Sequence, residues 1–293
     1  YAVILGYPVL GIYYWCADQT IVQRVLGARS LKDAQVGPVF AGFIKILPVF
    51  LMVFPGVLAY VLFQDKITDS NDTLLVLITE LLPVGLKGLM AAALMAALMS
   101  TIAAALNSAG TLVSIDIMKR YNPHAADRKL VVAGRITSVC VMILAILWSP
   151  LIGKFESIFE AIAIVMAMIS PPVSSVFVFG ALWKRGTRQA ASATLIVGII
   201  LGIITFCFDF APISGYAYLS DGLGMHFMMQ AWWLFTICSL IFVGVSLITP
   251  RPEIAHLEDL TLSFQLKKMH IPLAGWLSLL LIACMLCLYL VFA

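Results

Sequence analysis

Apolar residues run along this chain in long stretches, separated by short clusters of charged residues, proline and glycine. A helix needs about 20 apolar residues to cross the hydrocarbon core of a bilayer. Stretches of that kind predict eight transmembrane helices, near 1–22, 36–62, 82–118, 130–149, 157–182, 190–208, 228–249 and 272–292. Few segments alternate between apolar and polar residues, so the pattern favours an all-α integral membrane protein over a β-barrel.

The composition supports this interpretation. Of the 293 residues, 62% are hydrophobic and 11% are charged, whereas a soluble domain is about half apolar and about a quarter charged. The formal net charge of +3 is spread over loops, so we expect the lipid bilayer as a partner and no nucleic acid. Tyr1 lies inside an apolar run without the pattern of a signal peptide, and we expect the chain to begin inside a longer protein.

Positive charge falls on every second predicted loop. By the positive-inside bias these loops are cytoplasmic, and residue 1 lies toward the outside. They hold 13 of the 18 Lys and Arg residues: Arg24, Arg29, Lys32, Lys119, Arg120, Arg128, Lys129, Lys184, Arg185, Arg188, Arg251, Lys267 and Lys268.

Signatures of soluble enzymes are missing from the sequence. There is no Gly-rich phosphate loop, no nucleophile elbow and no histidine pair at zincin spacing. Cys284 and Cys287 form a CxxC pattern, but inside an apolar helix it indicates packing rather than a redox pair. We therefore expect no enzymatic activity.

Lys45 lies about nine residues into the second predicted helix, too deep for its ammonium group to reach the inner membrane surface easily. A charged group at that depth is costly and marks a functional site by default. Two interpretations stay open from the residues alone. Lys45 either pairs structurally with carbonyls or with a carboxylate such as Asp18, or it belongs to a binding site.

The third predicted helix carries one stripe of small residues at three- and four-residue intervals, which allows another helix to approach closely. The stripe consists of Ala93, Ala97, Ser100, Ala104 and Ser108. Ser100 and its neighbour Thr101 either bond back to the preceding turn or, with the carbonyl of Ala97, offer three oxygen ligands to a small cation.

Four segments resemble the solute:sodium symporter family, particularly its sodium/glucose cotransporter branch. They are "YYWCADQTIVQRVLGARSLKDAQ", "FAGFIKILPVFLMVFPG", "AALMSTIAAALNSAGTLVSIDI" and "SPPVSSVFVFGALWKRGT". The resemblance implies the inverted-repeat five-plus-five, LeuT-like fold, with solute and ion near broken helices. Residues 1–184 then correspond to the second repeat, with a broken helix at 1–24 and the ion-site helix at 82–118, and 185–293 to peripheral C-terminal helices. The N-terminal repeat of the same protein, which completes both sites in the family, is missing.

The resemblance also implies site residues. Tyr14 matches the tyrosine that lies against the sugar ring and closes the inner gate, and Trp15 matches its neighbour in that gate. Lys45 matches a lysine that donates a hydrogen bond to a sugar hydroxyl. The sodium ligands of the family match the backbone carbonyl of Ala97 and the hydroxyls of Ser100 and Thr101.

Two positions depart from the sugar-carrier pattern. Ala163 stands where sugar carriers have a glutamine, and Gly11 stands where they have a polar residue. Glu160, one turn from Ala163, is a hypothetical substitute in the solute site.

The function that we expect is sodium-coupled symport of a small polar organic solute, a sugar or polyol, by alternating access across a plasma membrane or bacterial inner membrane. A solute-sensing module of the same fold and a symporter of a non-sugar solute are the alternatives. A membrane enzyme or a channel needs a catalytic cluster or a ring of charge, and the sequence shows neither.

Overall fold

The computed structural model describes residues 1–67, 69–152, 158–209, 218–251 and 273–292. Within these ranges the chain forms α-helices, short π-helical and 3-10 segments and no strand, which confirms the predicted all-α class. The α-helices are α1 Ala2–Ile12, α2 Gln19–Leu26, α3 Leu31–Ile44, α4 Phe54–Leu62, α5 Thr73–Leu81, α6 Val84–Thr111, α7 Lys119–Tyr121, α8 Asp127–Ile152, α9 Ile158–Leu182, α10 Arg188–Asp209, α11 Phe227–Ile248 and α12 Leu273–Phe292.

Seven helical segments in the described part of the chain are long and apolar enough to cross a membrane. They are Leu31–Leu62, Val84–Tyr121, Asp127–Pro150, Ala161–Leu182, Arg188–Asp209, Phe227–Ile248 and Leu273–Leu290. Each lies on one of the eight predicted stretches. The remaining stretch forms the shorter apolar helix Ala2–Ala17, because the helix is interrupted at Asp18. The chain is a multi-pass membrane protein.

Three of these apolar helices contain a stretch of wider, π-helical winding. The stretches are Tyr13–Ala17 after α1, Val49–Val53 between α3 and α4, and Leu112–Met118 after α6. A π-turn places side chains out of the ordinary helical register and is frequent at functional sites. The first stretch contains Tyr14 and Trp15, which the sequence singles out, and the second begins four residues after Lys45.

The described residues divide into two compact units, formed by 1–22 with 159–270 and by 23–158 with 271–293. In the first unit α1 packs against α11, and the buried side chains of Val9, Leu10 and Met228 belong to one apolar cluster. Gly6 makes this approach possible, because a Cβ atom there would lie 2.5 Å from the carbonyl oxygen of Met228.

One buried stripe on α10 lies at intervals of four residues and packs this helix against α9 and α11 within the first unit. Its members are Ala190, Thr194, Gly198 and Gly202. A Cβ atom at Gly198 would lie 2.6 Å from the Pro172 side chain of α9, and one at Gly202 would collide with the carbonyl oxygen of Met168. The two glycines form a Gly-x3-Gly pattern, which lets membrane helices approach closely.

We predict that Gly202→Ala lowers the melting temperature of the full-length protein by about 5 °C. The added methyl group meets rigid backbone, and overpacking of this kind costs about 1–3 kcal/mol. Gly244→Ala on α11 is the matched control, because a Cβ atom there has nothing within 4 Å. Thermal unfolding of the two variants measures the difference, and equal melting temperatures would contradict the packing described.

In the second unit α6 packs against α8, and α3 packs against α12. Both contacts again use glycine. A Cβ atom at Gly110 of α6 would lie 3.0 Å from the carbonyl oxygen of Gly134 on α8, and one at Gly42 of α3 would lie 2.7 Å from the side chain of Leu281 on α12. The long helix that carries Ala97, Ser100 and Thr101 is therefore held against α8 through its C-terminal half.

Candidate functional site

The break in the first apolar helix lies at Asp18. Its N–H donates to the carbonyl oxygen of Tyr13 at 2.9 Å and closes the π-turn, while its own backbone is extended, with φ −67° and ψ 119°. The Asp18 carboxylate accepts hydrogen bonds from the N–H of Thr20, at 2.8 Å, and from the Thr20 hydroxyl. This is the geometry of an N-cap, so Asp18 begins the second half of the broken helix.

Tyr14 and Trp15 lie within this π-turn. Their rings meet edge to face, with centroids 5.4 Å apart, and both side chains are half-buried. Gly11 lies one turn earlier on the helix, and a Cβ atom there would have nothing within 4 Å. The structure thus brings the two predicted gate residues together, in the first unit, with open space beside the preceding turn.

Lys45 ends α3, where the helix Leu31–Leu62 is irregular. Its N–H still donates to the carbonyl oxygen of Ala41 at 2.9 Å, but a turn follows, and Pro48 has no N–H to continue the ladder. The π-turn Val49–Val53 comes next. Lys45 is exposed on the second unit and lies beside the part of this helix where the hydrogen-bonding pattern changes.

Ala97, Ser100 and Thr101 are exposed on α6, also in the second unit. The hydroxyl of Thr101 donates to the carbonyl oxygen of Ala97, and the two oxygens are 3.0 Å apart. Both oxygens can contact one cation whose ligands stand at about 2.3–2.6 Å, as they do around Ca²⁺. The hydroxyl bonds back to the preceding turn, as one interpretation of the sequence expects. The Ala97 carbonyl accepts this bond in addition to the helical N–H of Thr101, so a cation at this carbonyl replaces one of the two bonds.

The remaining site predictions lie on α9 of the first unit. Glu160 is in the first turn of this helix, and its side chain lies outside the described residues. Ala163 is buried, with 8% of its surface exposed. The predicted site residues therefore form an aromatic pair in one unit and, in the other, an oxygen pair on α6 and a lysine at the end of α3.

Sequence reasoning missed a cleft of about 320 Å³ between the C-terminal half of α6, its π-turn and α8. Ser138 of α8 crosses this interface and donates to the carbonyl oxygen of Leu106 at 3.2 Å. The polar side chains that line the cleft are Asn107, Thr111, Ser114, Arg135 and Ser138. The sequence features that could have indicated this cleft are Gly110 on α6 and Gly134 on α8, each with hydroxyl-bearing residues nearby.

Comparison with known proteins identifies a matching family and relatives that are named as sodium cotransporters. The family model described as the sodium:solute symporter family matches residues 1–198. Sodium/glucose cotransporter 4 of Danio rerio is 36% identical over 282 residues, which is 88% of this chain and 43% of that protein. Sodium/mannose cotransporter SLC5A10 of Bos taurus is 35% identical over 279 residues, 87% of this chain and 47% of that protein.

A third relative, sodium/myo-inositol cotransporter 2 of Mus musculus, is 36% identical over 226 residues, 71% of this chain and 34% of that protein. The chain therefore spans less than half the length of the curated relatives that it matches. The family match covers the broken helix, Lys45 and the oxygen pair on α6. This chain belongs to the sodium:solute symporter family.

Proposed function

We propose that the protein containing this chain is a secondary active transporter that couples the inward movement of sodium to that of a small polar solute, a sugar or polyol. The observation that carries the proposal is the family match over residues 1–198, together with relatives named for sodium and for glucose, mannose or myo-inositol. A sodium gradient across a plasma membrane or bacterial inner membrane supplies the driving force.

Sodium binds, in this proposal, to the carbonyl oxygen of Ala97 and the hydroxyls of Ser100 and Thr101. The exposure of these residues on α6 supports it, and the Thr101 hydroxyl gives up its bond to the Ala97 carbonyl when the ion binds. Oxygen ligands suit a hard cation such as sodium better than a transition metal. In this proposal an N-terminal repeat of the same protein completes the site.

The solute lies against Tyr14, with Trp15 as the second aromatic side chain of an inner gate. The edge-to-face contact supports this role, because it fixes the two rings relative to each other, and an aromatic face suits the apolar C–H face of a sugar ring. Lys45 donates a hydrogen bond to a solute hydroxyl, and Glu160 accepts one in place of the glutamine that Ala163 replaces. The open space beside Gly11 leaves room for a bulkier or differently oriented solute.

Coupling follows if sodium and solute favour the same conformation. Each then raises the affinity for the other by the same factor, typically between about 5-fold and 150-fold. Within the repeat architecture, we assign residues 1–184 to the second repeat and 185–293 to peripheral helices. Release of sodium to the cytoplasm weakens solute binding, and opening of the Tyr14 and Trp15 gate lets the solute leave.

Binding of radiolabelled glucose to the purified full-length protein tests this proposal, with unlabelled mannose, myo-inositol and other polyols as competitors. We expect sodium, and not potassium at the same ionic strength, to raise the affinity of the preferred solute at least fivefold. The competitor that displaces the label at the lowest concentration identifies the solute class. Equal solute binding in sodium and potassium would contradict the proposed coupling.

A further inference from the structure

A cluster of positive charge lies at one end of the first unit. Lys184, Arg185 and Arg188 lie in and after the turn between α9 and α10, and Arg251 follows α11. The sequence has no acidic residue between 182 and 190, and the acidic residue nearest to Arg251 is Glu253, which lies outside the described residues. Among the described residues, none of these four side chains pairs with a carboxylate.

Hydrogen bonds to the end of α11 fix the position of this turn. The Arg185 guanidinium donates through Nη2 to the carbonyl oxygen of Leu247 at 3.0 Å. The hydroxyls of Thr187 and Thr249 are 2.8 Å apart, and the N–H of Thr187 donates to the hydroxyl of Ser246 at 3.4 Å. Since Arg251 is only two residues beyond Thr249, these bonds hold it at the same end of the unit.

The Arg185 side chain also keeps an unused donor. Its Nε atom is buried and has no hydrogen-bond partner in the described part of the chain. A buried donor without a partner costs about 1–3 kcal/mol, and more when the group is charged. An anion beside the guanidinium offsets part of that cost by charge attraction.

The N-terminus of α10 offers backbone N–H donors next to the same turn. Thr187 caps this helix, because its hydroxyl accepts from the N–H of Ala190 at 3.2 Å. Arg188 and Gln189 are the first two residues of the helix, and within the described residues their N–H groups have no hydrogen-bond partner. The N-terminus of a helix favours anions, and phosphate groups in particular.

Aromatic packing indicates the depth of the cluster. Trp183 immediately precedes Lys184, and its ring packs against Phe179, with centroids 6.3 Å apart, and Phe242, at 6.5 Å. Tryptophan is enriched where membrane helices meet the headgroup region. A tryptophan directly before Lys184 fits a position of these cations at headgroup level, on the side that the positive-inside bias makes cytoplasmic.

We propose that Lys184, Arg185, Arg188 and Arg251, with the N-terminus of α10, form a binding site for the phosphate of an anionic phospholipid. We call this the α10 basic site. Its level in the membrane favours a lipid headgroup over free phosphate, and basic pockets between helices on the cytoplasmic side suit such headgroups. The positive-inside bias by itself explains why this loop carries positive charge. It does not explain why the Arg185 guanidinium is held by the carbonyl oxygen of Leu247, or why its buried Nε atom has no partner in the described part of the chain.

Native mass spectrometry of the full-length protein in neutral detergent, titrated with phosphatidylglycerol, tests the proposal. Lys184→Gln with Arg188→Gln removes the charges of two exposed side chains, and each is worth about fivefold in affinity. We expect the double variant to bind this lipid about 25-fold more weakly. Lys119→Gln with Arg120→Gln is the matched control, since it removes two exposed charges from another predicted cytoplasmic loop.

Each other outcome overturns part or all of the assignment. Equal losses in the two double variants would reduce the effect to non-specific charge attraction. An unchanged affinity in the Lys184 and Arg188 variant would exclude the α10 basic site. Displacement of the lipid by millimolar inorganic phosphate would identify a site for free phosphate instead of a lipid. Matching melting temperatures for both variants and the parent protein establish that the comparison concerns folded protein.

Discussion

Thr101→Ala in the full-length protein is expected to raise the sodium concentration for half-maximal transport at least tenfold. The substitution removes one of the three proposed oxygen ligands and leaves the carbonyl of Ala97 without its hydrogen-bonded neighbour at 3.0 Å. Loss of one interaction with a charged group costs about 1.5–3 kcal/mol, which corresponds to about 10-fold to 150-fold in affinity. Transport measured over a range of sodium concentrations gives the shift directly.

Thr111→Ala provides the matched control on the same helix. Thr111 donates its hydroxyl to the carbonyl oxygen of Asn107 at 2.8 Å, so both variants lose a threonine hydroxyl bonded to the preceding turn. We expect the sodium dependence of Thr111→Ala to match that of the parent protein. Thr101→Ser keeps the oxygen and should restore most of the affinity. If both alanine variants show the same sodium dependence, the Thr101 hydroxyl is only a local helix bond.

Tyr14→Ala is expected to weaken solute affinity at least tenfold and to increase sodium-independent efflux of solute. The variant removes the ring against which the solute is proposed to lie, and it removes the edge-to-face contact that positions Trp15. A tenfold change corresponds to about 1.4 kcal/mol, near the upper end of the roughly 0.5–1.5 kcal/mol that an aromatic pair contributes beyond its buried area. Solute binding and efflux from preloaded proteoliposomes measure the two effects.

Two companion variants separate the contributions of Tyr14. Tyr14→Phe keeps the ring and removes the hydroxyl, so near-normal affinity would establish stacking as the main contact. Tyr7→Ala removes a ring from the exposed surface of the same apolar helix, where 45% of the side chain is accessible. We expect no change in solute affinity for Tyr7→Ala. An equal loss in Tyr7→Ala and Tyr14→Ala would mean that the helix, and not the gate, is disturbed.

Apolar stretches predicted the positions of the membrane helices well, because hydrocarbon excludes unpaired backbone and leaves few alternatives to a helix. What the stretches did not predict is which helices meet. Gly198 and Gly202 stand in a recognisable pattern, but only the fold shows that Pro172 and Met168 are their neighbours. The π-turns are also invisible to hydrophobic periodicity, since one extra residue in a turn changes no residue type.

At the candidate site, contacts between residues two to four positions apart follow from the sequence, whereas contacts that depend on more distant features do not. The four-residue interval between Ala97 and Thr101 places their oxygens together on any helix, and the structure has them 3.0 Å apart. Asp18 likewise caps the helix two residues before Thr20, as its sequence position allows. By contrast, the environment of Lys45 depends on the turn before Pro48, which no local pattern around the lysine specifies.

The measurement that tests the central claim most directly is solute accumulation by the full-length protein in proteoliposomes. The solute that competes best in binding is labelled, and its uptake is followed with an inward sodium gradient, with a potassium gradient, and after an ionophore has dissipated the sodium gradient. We expect the internal solute concentration to exceed the external one only with the intact sodium gradient. Sodium-dependent binding with no accumulation above equilibrium would contradict symport and favour a solute sensor of the same fold.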